Sequence, residues 1–278
     1  MKSLDLNSIL FNAGGALIAI VVTGYIVVSA IKTKQVPLCT ERFKHAQQFN
    51  LENSKGQALT PIELQARASG REWGVLKNSK VYKTPDAPLG RALEVSLAAT
   101  GNEDAPDENG VGFAWVVNEL AKAHAACLSY GAFIPNNFKF AEPGYMPGFF
   151  GGADLTTLDQ PTPVNGFAAR MGWVNGGDLG AEIRTPAMNG MWLGAPQTRW
   201  PTGRWVQIEQ EVQLNTPGKQ DGIVRVWVDG SLRVEGLDID LLGSGQFALT
   251  GVVSDIGYSH SASYPGAIKV SPFVVRWQ

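Results

Sequence analysis

The chain has 278 residues, of which 44% are hydrophobic, and a formal net charge of −2, enough to bury one substantial core in one large domain. That charge, with a pI near 6.0, excludes a nucleic-acid binder, which would carry a basic stripe or a strongly basic domain. The 32 glycines, 16 prolines and 8 tryptophans give the profile of many short strands joined by turns.

From Leu6 to Ile31 the chain reads LNSILFNAGGALIAIVVTGYIVVSAI, without a charge. Ile9 to Ile31 meets the roughly 20 apolar residues that a bilayer-crossing helix needs, and Lys32 and Lys34 stand ready to snorkel at its end. Residues 1–34 are therefore read as an uncleaved, single-pass signal anchor, a transmembrane helix. A cleaved signal peptide is the alternative, with small residues at Val28-Ser29-Ala30, but the apolar run is long for one and Lys2 is offset by Asp5. Lys32 and Lys34 favour a cytoplasmic domain by the positive-inside rule, a bias of only two residues.

Residues 35–70 are polar and read as a stalk or a packing arm with a short helix, PIELQARAS. Thr60 precedes it, Pro61 takes the first helical position and Glu63 lies in the first turn. The acidic, turn-rich TGNEDAPDENG (100–110) matches no EF-hand register and reads as a solvated loop. Cys39 and Cys127 define no disulfide framework. They read as an incidental and a buried thiol, with a disulfide open to them in an oxidising compartment. His45, His124 and His260 are scattered, so neither a metal site nor a cofactor is expected.

Residues 71–278 carry the strands. ACLSYGAFIP (126–135) is an apolar run ended by proline. GFAARMGWV (166–174) sets Phe167, Ala169, Met171 and Trp173 on one face and Ala168, Arg170 and Gly172 on the other. RWVQIEQEVQLN (204–215) and GIVRVWVDG (222–230) alternate likewise, and QFALTGVVS (246–254) and AIKVSPFVVRW (267–277) follow. Such alternation between turn signals predicts an all-β, antiparallel two-sheet sandwich. EPGYMPGFFGG (142–152) combines turn-density proline and glycine with Tyr145, Met146, Phe149 and Phe150, either a packed corner or the lip of a site.

The succession LSYGAFIPNNFKF, PGYMPGFFGG, GFAARMGW and TGRWVQIEQEVQLNTPGKQDGIVRVWVDG resembles polysaccharide lyase family 14 and its jelly-roll relatives, which include alginate lyases, over about residues 110–278. The resemblance implies a concanavalin-like β-jelly-roll. It also implies action on an acidic polysaccharide by β-elimination, in which a base takes the uronate C5 proton, an acid protonates the glycosidic oxygen, and cations neutralise the carboxylate. The family carries a lysine before its Leu-Pro-Gly, a Ser-x-Arg and a Tyr-x-Tyr. Here the lysine position holds Tyr145, the serine position Ala168, and the Tyr-x-Tyr positions Glu182 and Arg184; only the arginine is kept, as Arg170.

These positions suggest a replaced chemistry in one groove. Arg170 and Arg184 offer planar forks for a carboxylate. Tyr145 is a candidate acid or base if the arginines lower its pKa, and Glu182 a candidate proton acceptor. The competing reading makes Glu182 a plain salt-bridge partner of Arg170 or Arg184. Trp173 reads as core, whereas Trp227, beside Arg225, is a candidate exposed stacking ring. His260 and Tyr258 are candidate bases, with a solvated loop as the plain reading of His260. NGMWLGAPQTRWP (189–201) reads as an aromatic loop over a ligand or a long connection. Together these imply a membrane-anchored, lyase-like protein that engages a uronate-containing polysaccharide outside the cytoplasm, in the periplasm or at the cell surface, with cleavage left open. The alternatives are a non-catalytic carbohydrate-binding module and a structural subunit of an envelope or membrane assembly with protein partners.

Overall fold

The strand periodicity read above emerges as two antiparallel sheets. The computed structural model describes residues 36–97, 109–152, 166–174, 176–186, 188–243, 245, 247–259 and 264–278. In chain order the elements are α1 (Cys39–Arg42), β1 (His45–Phe49), α2 (Pro61–Gln65), β2 (Glu72–Trp73), α3 (Val75–Asn78), β3 (Ser79–Lys83) and β4 (Arg91–Leu97). Then come β5 (Gly110–Val116), β6 (Ala125–Phe133), β7 (Gly144–Gly152), β8 (Gly166–Val174), β9 (Asp178–Thr185) and β10 (Met188–Arg199). The last six are β11 (Trp205–Gln213), β12 (Gly222–Val228), β13 (Ser231–Ile239), β14 (Leu249–Tyr258), β15 (Gly266–Val270) and β16 (Phe273–Trp277).

Among the described residues one sheet has nine strands, ordered β13-β12-β11-β6-β15-β4-β3, with β16 beside β6 and β1 beside β16. The other has seven, ordered β10-β9-β8-β7-β14-β5-β2. This is the all-β sandwich that the jelly-roll reading requires. The proposed anchor, residues 100–108 of the acidic stretch and His260 lie outside the described residues, while Asn109 is buried and Gly110 begins β5. Among those described, no helix is long and apolar enough to cross a membrane.

The alternation in β8 works as predicted. Phe167, Ala169, Met171 and Trp173 are buried in the central core, while Ala168 belongs to a separate small cluster with Ala114, Phe150 and Val253 on the outer face of the seven-stranded sheet. Strand β11 sends Val206, Ile208 and Val212 into the core, and with them Gln210, whose Nε2 donates to the Ala169 carbonyl of the opposite sheet at 3.0 Å. A core amide thus ties the two layers together directly behind Arg170, where an unpaired polar group would cost free energy.

The segment 142–152 is a strand, β7, with a register shift between Met146 and Gly148. Pro147 is tolerated at this irregularity because a bulge demands no ladder donor there. Gly148 is required by close approach: a Cβ there would stand 2.0 Å from the Ala169 carbonyl oxygen. Met146 and Phe149 enter the core, leaving Tyr145 half-buried.

Residues 38–65 pack as an arm. Strand β1 pairs with β16 from His45↔Trp277 to Phe49↔Phe273, and Phe49, Leu51, Leu59 and Leu64 join the core. Helix α2 starts with a capping box, in which Glu63 N–H donates to Thr60 Oγ1 and Thr60 N–H to the Glu63 carboxylate. Cys39 and Cys127 form a disulfide with Cα atoms 5.6 Å apart, not the two thiols that the sequence favoured. Helix α1 lies against the outer face of the nine-stranded sheet, where Thr40 Oγ1 donates to Glu209 at 3.0 Å and Arg42 pairs with Glu211. Sequence spacing could not reveal this crossing, since the partners lie 88 residues apart.

Candidate functional site

Tyr145, Arg170, Glu182 and Arg184 meet on the outer face of the seven-stranded sheet. The ladder sets Arg170 opposite Glu182 and Ala168 opposite Arg184, so a small alanine leaves room beside the Arg184 stem. Arg170 Nη2 bonds Glu182 Oε2 at 3.0 Å, and its Nη1 bonds Asp255 Oδ2 at 2.8 Å. Arg71, just before β2, bonds the other Asp255 oxygen at 2.6 Å. Arg184 closes the chain, with its Nε 2.9 Å from Glu182 Oε2 and its Nη2 donating to Tyr145 Oη at 3.0 Å. The Arg170 guanidinium lies over the Tyr145 ring, 4.2 Å from its centroid, a cation–π contact.

The network joins three guanidinium groups, those of Arg71, Arg170 and Arg184, to two carboxylates, those of Asp255 and Glu182. Arg170 is only 1% exposed. Burial opposes its charge, but Asp255 and Glu182 outweigh that effect and hold the guanidinium above its ordinary range. For Tyr145, burial is the largest influence and raises the phenol's pKa. Arg170 and Arg184 pull it down, Glu182 and Asp255 push it up, and the balance stays above the ordinary tyrosine value.

Two expectations change accordingly, and for Glu182 the geometry fits the competing salt-bridge reading. Arg170 is no open clamp, because both ends of its fork hold carboxylates of the protein. Tyr145 keeps its proton instead of becoming a base, because desolvation outweighs the arginines. Glu182 is the salt-bridge partner of both Arg170 and Arg184. The accessible rim consists of Tyr145, Glu182 and Arg184, all half-buried. It can present a phenol hydroxyl and the edge of the Arg184 guanidinium to an anion.

Arg225 and Trp227 lie elsewhere. Their neighbours Val224, Val226 and Val228 fill the core, so both point to the outer face of the nine-stranded sheet. Arg225 pairs there with Glu235 at 2.7 Å and Glu211 at 3.5 Å. Trp227 is 1% exposed, not the open ring expected. It sits opposite Glu209 in the ladder, on the face that α1 covers. Tyr258 is also no base: burial lifts its pKa to about 12, and its hydroxyl donates to the Lys139 carbonyl at 2.6 Å. Trp173 is core, as expected, edge-on to Phe138, Phe140 and Tyr258. The stretch 189–201 belongs largely to β10, which pairs with β9, and is neither a lid nor a free connection.

Asp255 and Arg71 were missed. Asp255 had a legible signal, as the one charge in the apolar run LTGVVSDIGY. Arg71 had none, because only the pairing of β2 with β5 brings its segment alongside.

Two antiparallel sheets packed around one core define a jelly-roll sandwich. Residues 87–259 match the family described as Polysaccharide lyase 14; the chain belongs to that family. Its fold is similar to that of the PL-14 alginate lyase of Aplysia kurodai (20% identity, TM-score 0.64, 75% of this chain and 90% of that one). It is also similar to alginate lyase vAL-1 of Chlorella virus (19%, 0.60, 72% and 89%). A variant of alginate lyase Aly36B, solved with an alginate tetrasaccharide, shares the fold as well (16%, 0.63, 85% and 98%). No curated protein sequence matches the chain at a significant level.

Proposed function

We propose that the domain engages an acidic, uronate-containing polysaccharide at the Tyr145–Arg184 rim, and that it binds this chain without cleaving it. Family membership supports the substrate class. The observation that carries the binding reading is the commitment of both carboxylates in the network: Glu182 and Asp255 are each paired to two arginines, while Tyr145 holds its proton. None of these groups is available to take the C5 proton, as β-elimination requires. Residues 1–34 serve in this reading as a single-pass anchor, with the domain outside the cytoplasm. The Cys39–Cys127 disulfide supports that side of the membrane, since such bonds persist in oxidising compartments.

The test is incubation with alginate, glucuronan and pectate. Retarded migration in polysaccharide-loaded gels is expected, with no rise in the ultraviolet absorbance of an unsaturated product. An absorbance rise would overturn the binding reading in favour of elimination, which the family membership and the Arg184–Tyr145 hydrogen bond favour, with Tyr145 as the acid. Copurification in a stoichiometric membrane complex with no glycan affinity would overturn both in favour of a structural subunit.

A further inference from the structure

The face that bears the ion-paired network carries a second feature. Trp192, on β10, stands opposite Glu182 in the ladder. Its ring lies over Gly180 and Gly194, where an added Cβ would come within 2.5 Å and 2.7 Å of indole atoms. Two side-chain-free positions thus form the bed of this ring, which remains partly open to solvent. Two residues along β9 from Gly180, about 7 Å away by strand rise, Asp178 faces Arg199 at 3.7 Å. Arg199 also lines a cavity of about 250 Å³ at the margin between the two sheets, walled further by Leu179, Val228, Arg204, Arg233 and Asp229. Arg204 pairs with Asp229 at 2.7 Å. Arg233 is exposed and has no ion pair among the described residues. The three guanidinium groups outnumber the carboxylates, even when Asp178 is counted with Asp229.

We infer that this end of β9 and β10 is a second subsite for an anionic saccharide. One sugar ring stacks on Trp192, and a carboxylate of the same chain enters the cavity between Arg199, Arg204 and Arg233. The inference rests on the reading that the outer face engages a polyuronate. Glu182 and Asp178 lie on the same side of one strand, four residues or about 13 Å apart, so a short oligosaccharide reaches from the network to the cavity. A flat indole on a bare backbone offers area to a ring without ordering cost, and the guanidinium fork matches a carboxylate. The site therefore selects charged sugar chains over neutral ones.

The experiment is calorimetric titration of the full-length chain with oligomannuronate of two lengths, a hexamer and a dimer, with neutral mannohexaose as control. Trp192→Ala is expected to weaken hexamer binding about tenfold, with Trp192→Phe within about threefold of the parent, since a phenyl ring still stacks. Arg233→Glu, at an exposed position that does not threaten folding, is expected to weaken the hexamer about tenfold at low salt and to leave the dimer unchanged. Hexamer affinities of W192A and R233E within about twofold of the parent would overturn the subsite while leaving the polyuronate reading intact. Mannohexaose bound as tightly as the hexamer would overturn its charge selectivity. A parent chain that binds neither uronate length would overturn the underlying reading itself.

Discussion

Arg170 is the residue on which the outer face turns. Its charge is sealed from water and balanced by Asp255 and Glu182, so truncation leaves two carboxylates facing each other without their common partner. Arg170→Ala is expected to cost about 3–5 kcal/mol of stability, read from urea unfolding midpoints; a change within about 1 kcal/mol would contradict the burial argument. Tyr145→Phe keeps the ring under the guanidinium and removes only the hydroxyl that accepts from Arg184. It should cost about 0.5–1.5 kcal/mol by the same measurement. The phenols of Tyr145, Tyr130 and Tyr258 all titrate above their ordinary value, chiefly because of burial. The unfolded chain then releases these protons first, so stability is complete below pH 10 and declines as pH climbs through the folded-state values, about 12 for Tyr258. Unfolding midpoints at pH 9 and pH 11.5 should differ in that direction, and a flat profile would count against it. At this scale the alternation in β8 made the side of Arg170 legible. Its partner was not, since Asp255 lies 85 residues on and only strand order brings it near.

Legibility among elements follows the same physics. Strands with one apolar and one polar face, such as β11 and β12, announce themselves by period two. Strand β10 hides because Gly190, Gly194 and Pro196 interrupt its text, and β7 because its proline sits at an irregularity of register. The closing stretch AIKVSPFVVRW, read as one run, divides at Ser271-Pro272. Gly131 of β6 donates to Ser271 Oγ at 2.7 Å and its carbonyl accepts from Ser271 N–H at 2.9 Å, so β6 keeps β15 and β16 in succession along one edge. Helix α1 is held by a covalent link and the buried carboxylates of Glu209 and Glu211. Replacing Cys39 and Cys127 by serine frees the loop of 88-residue separation and is expected to cost about 2–5 kcal/mol, a fall in Tm of roughly 5–15 °C. A melting curve that matches the parent, with and without reductant, would refute a structural role for the bond.

For the whole molecule, residues Leu38–Gln278 form one compact unit. A fragment that begins at residue 36 is therefore expected to melt cooperatively. One that begins at residue 50 lacks β1 and Cys39, and should melt at least about 5 °C lower; equal melting temperatures would show that the arm contributes nothing to the sandwich. The position of the disulfide also decides how the domain bears mechanical load. A pull on its amino-terminal end, as when a filament is tugged against its mooring, meets Cys39 before it meets β1. Tension then passes through sulfur into β6, which is flanked by β11 on one side and by β15 and β16 on the other. The hydrogen bonds of β1 are spared from unzipping one by one. Rupture would instead require rows of bonds on both sides of an interior strand to shear together, and reducing the linkage should convert a strong, abrupt yield into a weak, gradual one.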